Sequence, residues 1–384
     1  SNNLIFKNGD IKCMYNGAGC IGSTNGKSET LIVENVVIEF SGKGNDNYSN
    51  IGGCIGKSNN KASNLRSNNI QISHMAYIIG EIKNVGGCIG YISTECDDLL
   101  AEEISIDGEA YNVGGCVGMS DYIIYNARSN NNEIKGKRNI GGIVGEQTYN
   151  NTSENTIYNC KVESCNITGT GNNTGGIVGN AKGMLCKITA SGSTISGKKN
   201  AGGLIGLYEG GDKSYETYYL IQSYCSKSNI NATENAGGLV GEFVFGDIRY
   251  CYSANNKISG NNSGQLIGYL NDTDLNTKIN NKVVNVIYTL AVNTLNSTEN
   301  YFNGSIIGKQ EKELDKEAFL NNIIVNEIEK YYTNNTGEVT KIDNVDDIKT
   351  GDIYKNIGLL RENKFKHKDG YYPYLTGVFE NDNT

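Results

Sequence analysis

The chain has 384 residues, 38% of them hydrophobic, with 49 Gly, one Pro and no Trp. Its net charge is −8, from 34 basic and 42 acidic side chains, which excludes nucleic acid as a main partner. No run approaches the roughly 18 consecutive apolar residues that a membrane helix needs. Ser1-Asn2-Asn3-Leu4 lacks the basic and apolar make-up of a secretory signal, which leaves a removed signal or a longer parent chain as the alternatives.

Residues 1–16 read as the tail of a coil or an amino-terminal cap. A five-residue phrase then begins to recur. It appears loosely as Ala18-Gly19-Cys20-Ile21-Gly22, and fully as Gly52-Gly53-Cys54-Ile55-Gly56, Gly86-Gly87-Cys88-Ile89-Gly90 and Gly114-Gly115-Cys116-Val117-Gly118. It returns in Asn139-Ile140-Gly141-Gly142-Ile143-Val144-Gly145, and in the phrases ending at Gly179, Gly206 and Gly241. Looser copies end at Gly268 and Gly308. Steps from last glycine to last glycine are 34, 34, 28, 27, 34, 27, 35, 27 and 40, the mark of a stacked repeat.

The residues between phrases decide the repeat type. Helical repeats need apolar positions three and four apart over ten or more residues. Here the connectors are rich in Asn, Ser, Thr and Gly, with β-branched residues at every second position, as in Ile157-Tyr158-Asn159-Cys160-Lys161-Val162. The expectation is an all-β, parallel β-solenoid with three short strands per coil and about nine or ten coils, each touching only its neighbours. The glycine phrase is expected to supply one strand, with Gly turning the corners through positive φ. Its third residue, at Cys20, Cys54, Cys88, Cys116, Ile143, Ile177, Leu204, Leu239 and Leu266, points into the coil as a ladder of core side chains. Steps of 34 or 35 carry about seven extra residues, expected as side-face loops. The most aromatic of these holds Tyr215, Tyr218 and Tyr219, a candidate contact patch for a sugar or protein.

From Thr277 the character shifts. Lys309 to Val325 carries Leu314, Phe319, Leu320 and Ile323 among charged residues, the pattern of an amphipathic helix. Residues 1–308 are therefore expected to be solenoid, and 309–384 a small α+β carboxy-terminal cap closing its open core.

The phrase, at this spacing, resembles the GLUG repeat of bacterial surface proteins, including adhesins and the non-catalytic part of some immunoglobulin A peptidases. Lys309 to Asn322 and Asp369-Gly370-Tyr371-Tyr372-Pro373-Tyr374-Leu375 are similar to the segment that often ends such arrays. Four copies depart from the pattern in having Cys where Leu or Ile is usual.

Eleven cysteines, an odd number without a Cys-x-x-Cys pair, speak against a complete disulfide framework and against a metal site. The phrase cysteines are expected as packed thiols, and Cys160, Cys225 and Cys251 as another interior position. Gly17 to Gly22 fits G-x-G-x-x-G, but as one repeat copy among many it carries no dinucleotide site. His74 and His367 do not form a zinc-peptidase motif. The carboxylates Asp97-Asp98 with Glu102-Glu103, and Asp343 with Asp346-Asp347, read as solvated loops. The resulting expectation is a non-catalytic cell-surface or secreted protein, without cofactor, that displays or adheres. Its partner would be a protein or glycan of a host or neighbouring cell, or a second copy of itself. The rival class is a carbohydrate-active β-helix enzyme, which needs paired carboxylates in one cleft.

Overall fold

The computed structural model describes residues 2–41, 49–75, 82–148, 156–210 and 219–271, with short strands further on at 284–287, 290–293, 307–310, 322–326, 339–342, 365–366 and 374–375. Among the described residues every regular element is a strand. The chain winds as a parallel β-solenoid with three faces: one long sheet of 21 strands and two narrow sheets of nine and ten. One rank runs from the long strand Ala62–His74 to Lys83–Gly86 on the first narrow sheet. It closes with Ile89–Ile92 on the second, before the next rank opens at Cys96. Each pairs in register with the same segment one rank on, as Val85 does with Val113 and Ile89 with Val117.

The phrase does not form a strand of its own. Its first glycine ends a strand of the first narrow sheet, at Gly52, Gly86 and Gly114. Its fourth residue begins a strand of the second, at Ile55, Ile89 and Val117. The corner falls between them, on Gly53-Cys54 and its equivalents. Nor do the phrase glycines sit at positive φ; among the described residues the glycines that do are Gly183, Gly192, Gly210 and Gly246. Close approach demands them instead. A Cβ on Gly52 would stand 2.0 Å from the carbonyl oxygen of Ile55, and one on Gly53 2.0 Å from that of Gly87 in the next rank. On Gly145 it would meet the backbone of Asn112 and Val113 at 2.4 Å. All of these contacts are backbone, which cannot swing aside.

Left-handed backbone falls mainly on asparagine, the residue best suited to it after glycine. In the strand Ser28–Phe40 the buried positions are 28, 31, 33, 36, 38 and 40. Strict alternation is broken twice, and at each break sits a left-handed residue, Thr30 or Asn35. The extra residue re-aims the side chains and bends the sheet around the core, as a bulge does. The same two breaks recur one rank on at Asn64 and Asn69, then at Asp98 and Glu103.

Inside, like stacks on like. Ile11, Ile38, Ile72, Ile106, Ile134, Ile167, Ile195, Ile230 and Ile258 form an unbroken column through consecutive ranks. The phrase residues stack too, since the amide of Cys54 donates to the carbonyl of Cys88, and that of Cys88 to Cys116, each at 2.9 Å. Cys54, Cys88, Cys116, Ile143, Ile177, Leu204, Leu239 and Leu266 are all fully buried, while Cys20 in the first rank is only half-buried against the core. Cys160, Cys225 and Cys251 are interior but do not share one position. Cys160 lies opposite Ile188, whereas Cys225 lies opposite Ala190 and Ser253.

The later chain bears out one expectation and alters another. Ile307–Gln310 is a strand on Ile267–Leu270, so the loose phrase ending at Gly308 is a true copy. Asn322–Asn326 is a strand on Leu290–Asn293, and Val339–Ile342 follows it. Both ends of the segment read as a helix are therefore strand, and parallel pairing runs past residue 308 into the expected cap. Leu314, Phe319 and Leu320 lie outside the described residues, as do segments 42–48, 76–81, 149–155 and 211–218 of the four loop-bearing steps. Tyr374–Leu375 pairs antiparallel with Phe365–Lys366, unlike the rest.

Candidate functional site

The outer face of the long sheet carries most of the surface chemistry. Because ranks are in register, each outward position becomes a row along the solenoid, and its composition tells what that row can touch. Most rows mix amides, hydroxyls and charged side chains of both signs. One is aromatic.

Tyr125 and Tyr158 both follow an isoleucine that points inward, so both point out, and they face each other across adjacent ranks. Their ring centroids are 6.2 Å apart, edge to face at 73°. The row continues through half-buried Cys186 and Ile221 to Arg249. Leu185 pairs with Leu220, which sets Met184, 37% exposed, beside Tyr219 in a parallel row. Cations hold the ring faces. The Lys187 ammonium lies 5.2 Å from the Tyr158 centroid, and the Arg249 guanidinium 5.4 Å from that of Tyr219. Such contacts contribute about 0.5–1 kcal/mol at exposed sites and orient the rings. The fully buried carboxylate of Asp247 pairs with Arg249 and fixes it from below. Alongside runs a line of side-chain amides, with Asn159 donating to Asn126 and Asn126 to Asp97 at 2.8 Å.

Tyr219 thus belongs to an outward strip, while Tyr215 and Tyr218 lie outside the described residues. Sequence reasoning missed Tyr125 and Tyr158. Each follows an isoleucine, but the two stand at different offsets from the phrase before them, so only the register of the ranks shows them opposite each other.

The carboxylates do not converge. Asp98 pairs with Arg66 at 2.6 Å, Asp97 accepts from Asn126, and Glu102 accepts from Asn68 at 3.3 Å. Among the described residues no three His, Cys, Asp or Glu side chains are grouped to hold a metal ion. His74 stands at the outer end of its strand, near the carbonyl of Asp107. Asp343, Asp346, Asp347 and His367 lie outside the described residues.

The buried thiols are chemically quiet. Cys116 donates to the carbonyl of Arg128 at 3.1 Å and Cys88 to that of Leu100 at 3.3 Å. Burial pushes the thiols of Cys54, Cys96 and Cys116 well up, and those of Cys160 and Cys225 to about 12. The thiolate that would attack or bind metal is therefore scarce.

The first narrow sheet carries the most regular polar feature of the fold. The asparagine two places before the phrase hydrogen-bonds its equivalent in every rank from Asn16 to Asn262, at 2.7–3.1 Å. Each side-chain nitrogen donates to the side-chain oxygen of the rank before. The ladder is nearly dry, with Asn84, Asn139 and Asn200 at most 2% exposed. It is a structural spine rather than a site.

Comparison with family models, with curated proteins and with solved structures found no match. No helix among the described residues is long and apolar enough to cross a membrane.

Proposed function

We propose that this chain is the solenoid of a GLUG-type bacterial surface or secreted protein, non-catalytic, which extends and presents a contact strip to a protein or glycan of a host or neighbouring cell. The observation that carries the reading is the outward row of Tyr125 and Tyr158 with Met184 and Tyr219, an aromatic strip on a face whose other outward residues are mainly polar and charged. Aromatic side chains on a rigid sheet give contact area at low entropic cost, the property that concentrates them in binding surfaces. The stack itself suits display, because each rank adds about 4.8 Å of length without a new core.

The test is attachment of fluorescent beads carrying the chain to cultured epithelial cells and to bacterial cells. The double variant Tyr125→Thr with Tyr158→Thr keeps strand-forming residues and the fold. Attachment should fall at least about tenfold at unchanged melting temperature. Equal attachment by the variant would sink the strip as the contact surface. Turnover of glycans or proteins by the purified chain would place it with the enzymes instead.

A further inference from the structure

A second outward feature lies on the same long sheet, in the early ranks and away from the tyrosines. It is a shallow groove of about 490 Å³, lined by Asn35, Asn69, Glu103, Val37, Gln71 and Ser105 together with the adjoining strand backbone. Its size is that of a small-ligand site. Two rows make its walls. Asn35, Asn69 and Glu103 are the left-handed residues at the second bend of three successive ranks. Val37, Gln71 and Ser105 are the outward residues two places on, opposite one another in register.

The asparagines are prearranged. Asn69 donates to Asn35 at 2.8 Å, and Asn35 to Asn8 at 3.1 Å. An amide has two N–H donors and two acceptor lone pairs. The row uses one of each on Asn35, leaving one donor and one acceptor for a ligand. On Asn69 the next rank offers the carboxylate of Glu103, which cannot donate, so both lone pairs of its oxygen stay open. Gln71 is exposed and adds a second amide, Ser105 a hydroxyl on one side of it, and Val37 an apolar patch on the other. The lining carries one carboxylate and no cation, which disfavours anions, and one carboxylate is too few for a dedicated calcium cage.

We infer that this groove is a binding site for a neutral, linear saccharide lying along the solenoid axis. A sugar hydroxyl both donates and accepts, which matches an amide offering one of each, and its C–H faces match the Val37 patch. Two equivalent amides, Asn35 and Asn69, stand one rank spacing of about 4.8 Å apart with the Gln71 amide beside them, so an elongated ligand along the axis can meet amides in succession. The inference stands apart from the tyrosine strip, and the two are separable by substitution.

Calorimetric titration of the whole chain with linear oligomers of glucose, mannose and N-acetylglucosamine tests it, with hyaluronan and heparin fragments as anionic probes. Gln71→Ala and Ser105→Ala change outward side chains in ordinary strand backbone, and Ser196→Ala, on the same sheet but outside both features, is the distant control. Saturable binding of a neutral oligomer is expected, tightening from dimer to tetramer. Gln71→Ala should weaken it about tenfold, the worth of one or two hydrogen bonds, and Ser196→Ala should leave it unchanged. No binding of any neutral oligomer at millimolar concentration would overturn the assignment. So would a preference for the anionic fragments, or an affinity untouched by both Gln71→Ala and Ser105→Ala.

Discussion

The side-chain amide of Asn139 donates to the side-chain oxygen of Asn112 across 3.1 Å, and Asn139 accepts in turn from Asn173 at 2.9 Å. Each such bond is ordinary. What matters is that Asn139 is 2% exposed and left-handed, with φ of 56°, so water cannot replace the bonds and few residues accept the backbone. Removing its amide strands an acceptor on one side and a donor on the other, and each orphan costs about 1–3 kcal/mol.

Asn139→Gly should therefore lose about 2–4 kcal/mol in urea unfolding, since glycine accepts the backbone but not the bonds. Asn139→Ala should lose about 1 kcal/mol more from left-handed strain. Asn262→Gly, at the last described rung, breaks only its bond to Asn235 and should cost about half as much. Equal losses at both sites would mean that the ladder is incidental to stability.

The phrase glycines make the second case. A Cβ on Gly142 would lie 2.1 Å from the carbonyl oxygen of Gly176, while one on Gly26 would meet nothing nearer than Thr24 Oγ1 at 3.8 Å. Gly142→Ala must push two ranks apart, at about 3 kcal/mol or more, the upper range for overpacking. Gly26→Ala should stay within about 0.5 kcal/mol. A tolerated Gly142→Ala would show that the ranks slide more freely than this packing allows.

These two sets of residues show how far the sequence was legible. The repeat, its strand content and the stacking of the phrase could be read because the glycines recur at the rank spacing. The asparagines step by the same 34, 34, 28, 27, 34, 27, 35 and 27 residues, yet were not read as a ladder. Asn is common in this chain, and its local meaning as a turn residue hid its long-range one. The purpose of the glycines was misread for a related reason. Positive φ is a property of one residue, whereas the true constraint at Gly53 is the backbone of Gly87, a full rank away. The segment after Lys309 failed differently. Its described ends are strand, with Ile323 paired to Leu290, a distant partner that a local apolar pattern does not reveal, while the stretch between the ends lies outside the described residues. Tyr125 and Tyr158 were legible only after rows could be drawn.

The thiols predict a pH dependence. Burial raises Cys160 and Cys225 from about 9 to about 12, so the folded state holds protons that the unfolded chain releases. The unfolded state then binds fewer protons above pH 9, and stability falls as pH rises. The contribution is complete below the unfolded pKa and is lost progressively between pH 9 and 12. Urea midpoints should drop from pH 8 to pH 10.5, and Cys160→Ala with Cys225→Ala should flatten that slope. A slope unchanged by the double variant would assign the loss to other groups. In the folded state neither thiol should react with an aromatic disulfide reagent at pH 8.

A last prediction concerns a polar residue in the apolar core. Asn132 is 2% exposed and lies inside the bend, where Ile104 stands one rank earlier. The left-handed residue Glu103 turns the chain there, which leaves the amide of Ile104 without a strand partner. Asn132 supplies it: its side-chain oxygen accepts from Ile104 at 2.7 Å, while its nitrogen donates to the carbonyl of Ala101 at 2.9 Å and to Ser129 Oγ at 2.8 Å. Asn256 repeats the arrangement, accepting from Ser228 and donating to Cys225 and Ser253. Asn132→Leu keeps the volume and adds apolar surface, and area alone would make it stabilising. The orphaned backbone groups decide otherwise, because a buried N–H and C=O left unpaired outweigh one buried methyl. Asn132→Leu should lose about 2–4 kcal/mol, and hydrogen exchange at the Ile104 amide should quicken in step. Exchange there unchanged, with stability kept, would show that the bend satisfies its own backbone and that Asn132 is dispensable.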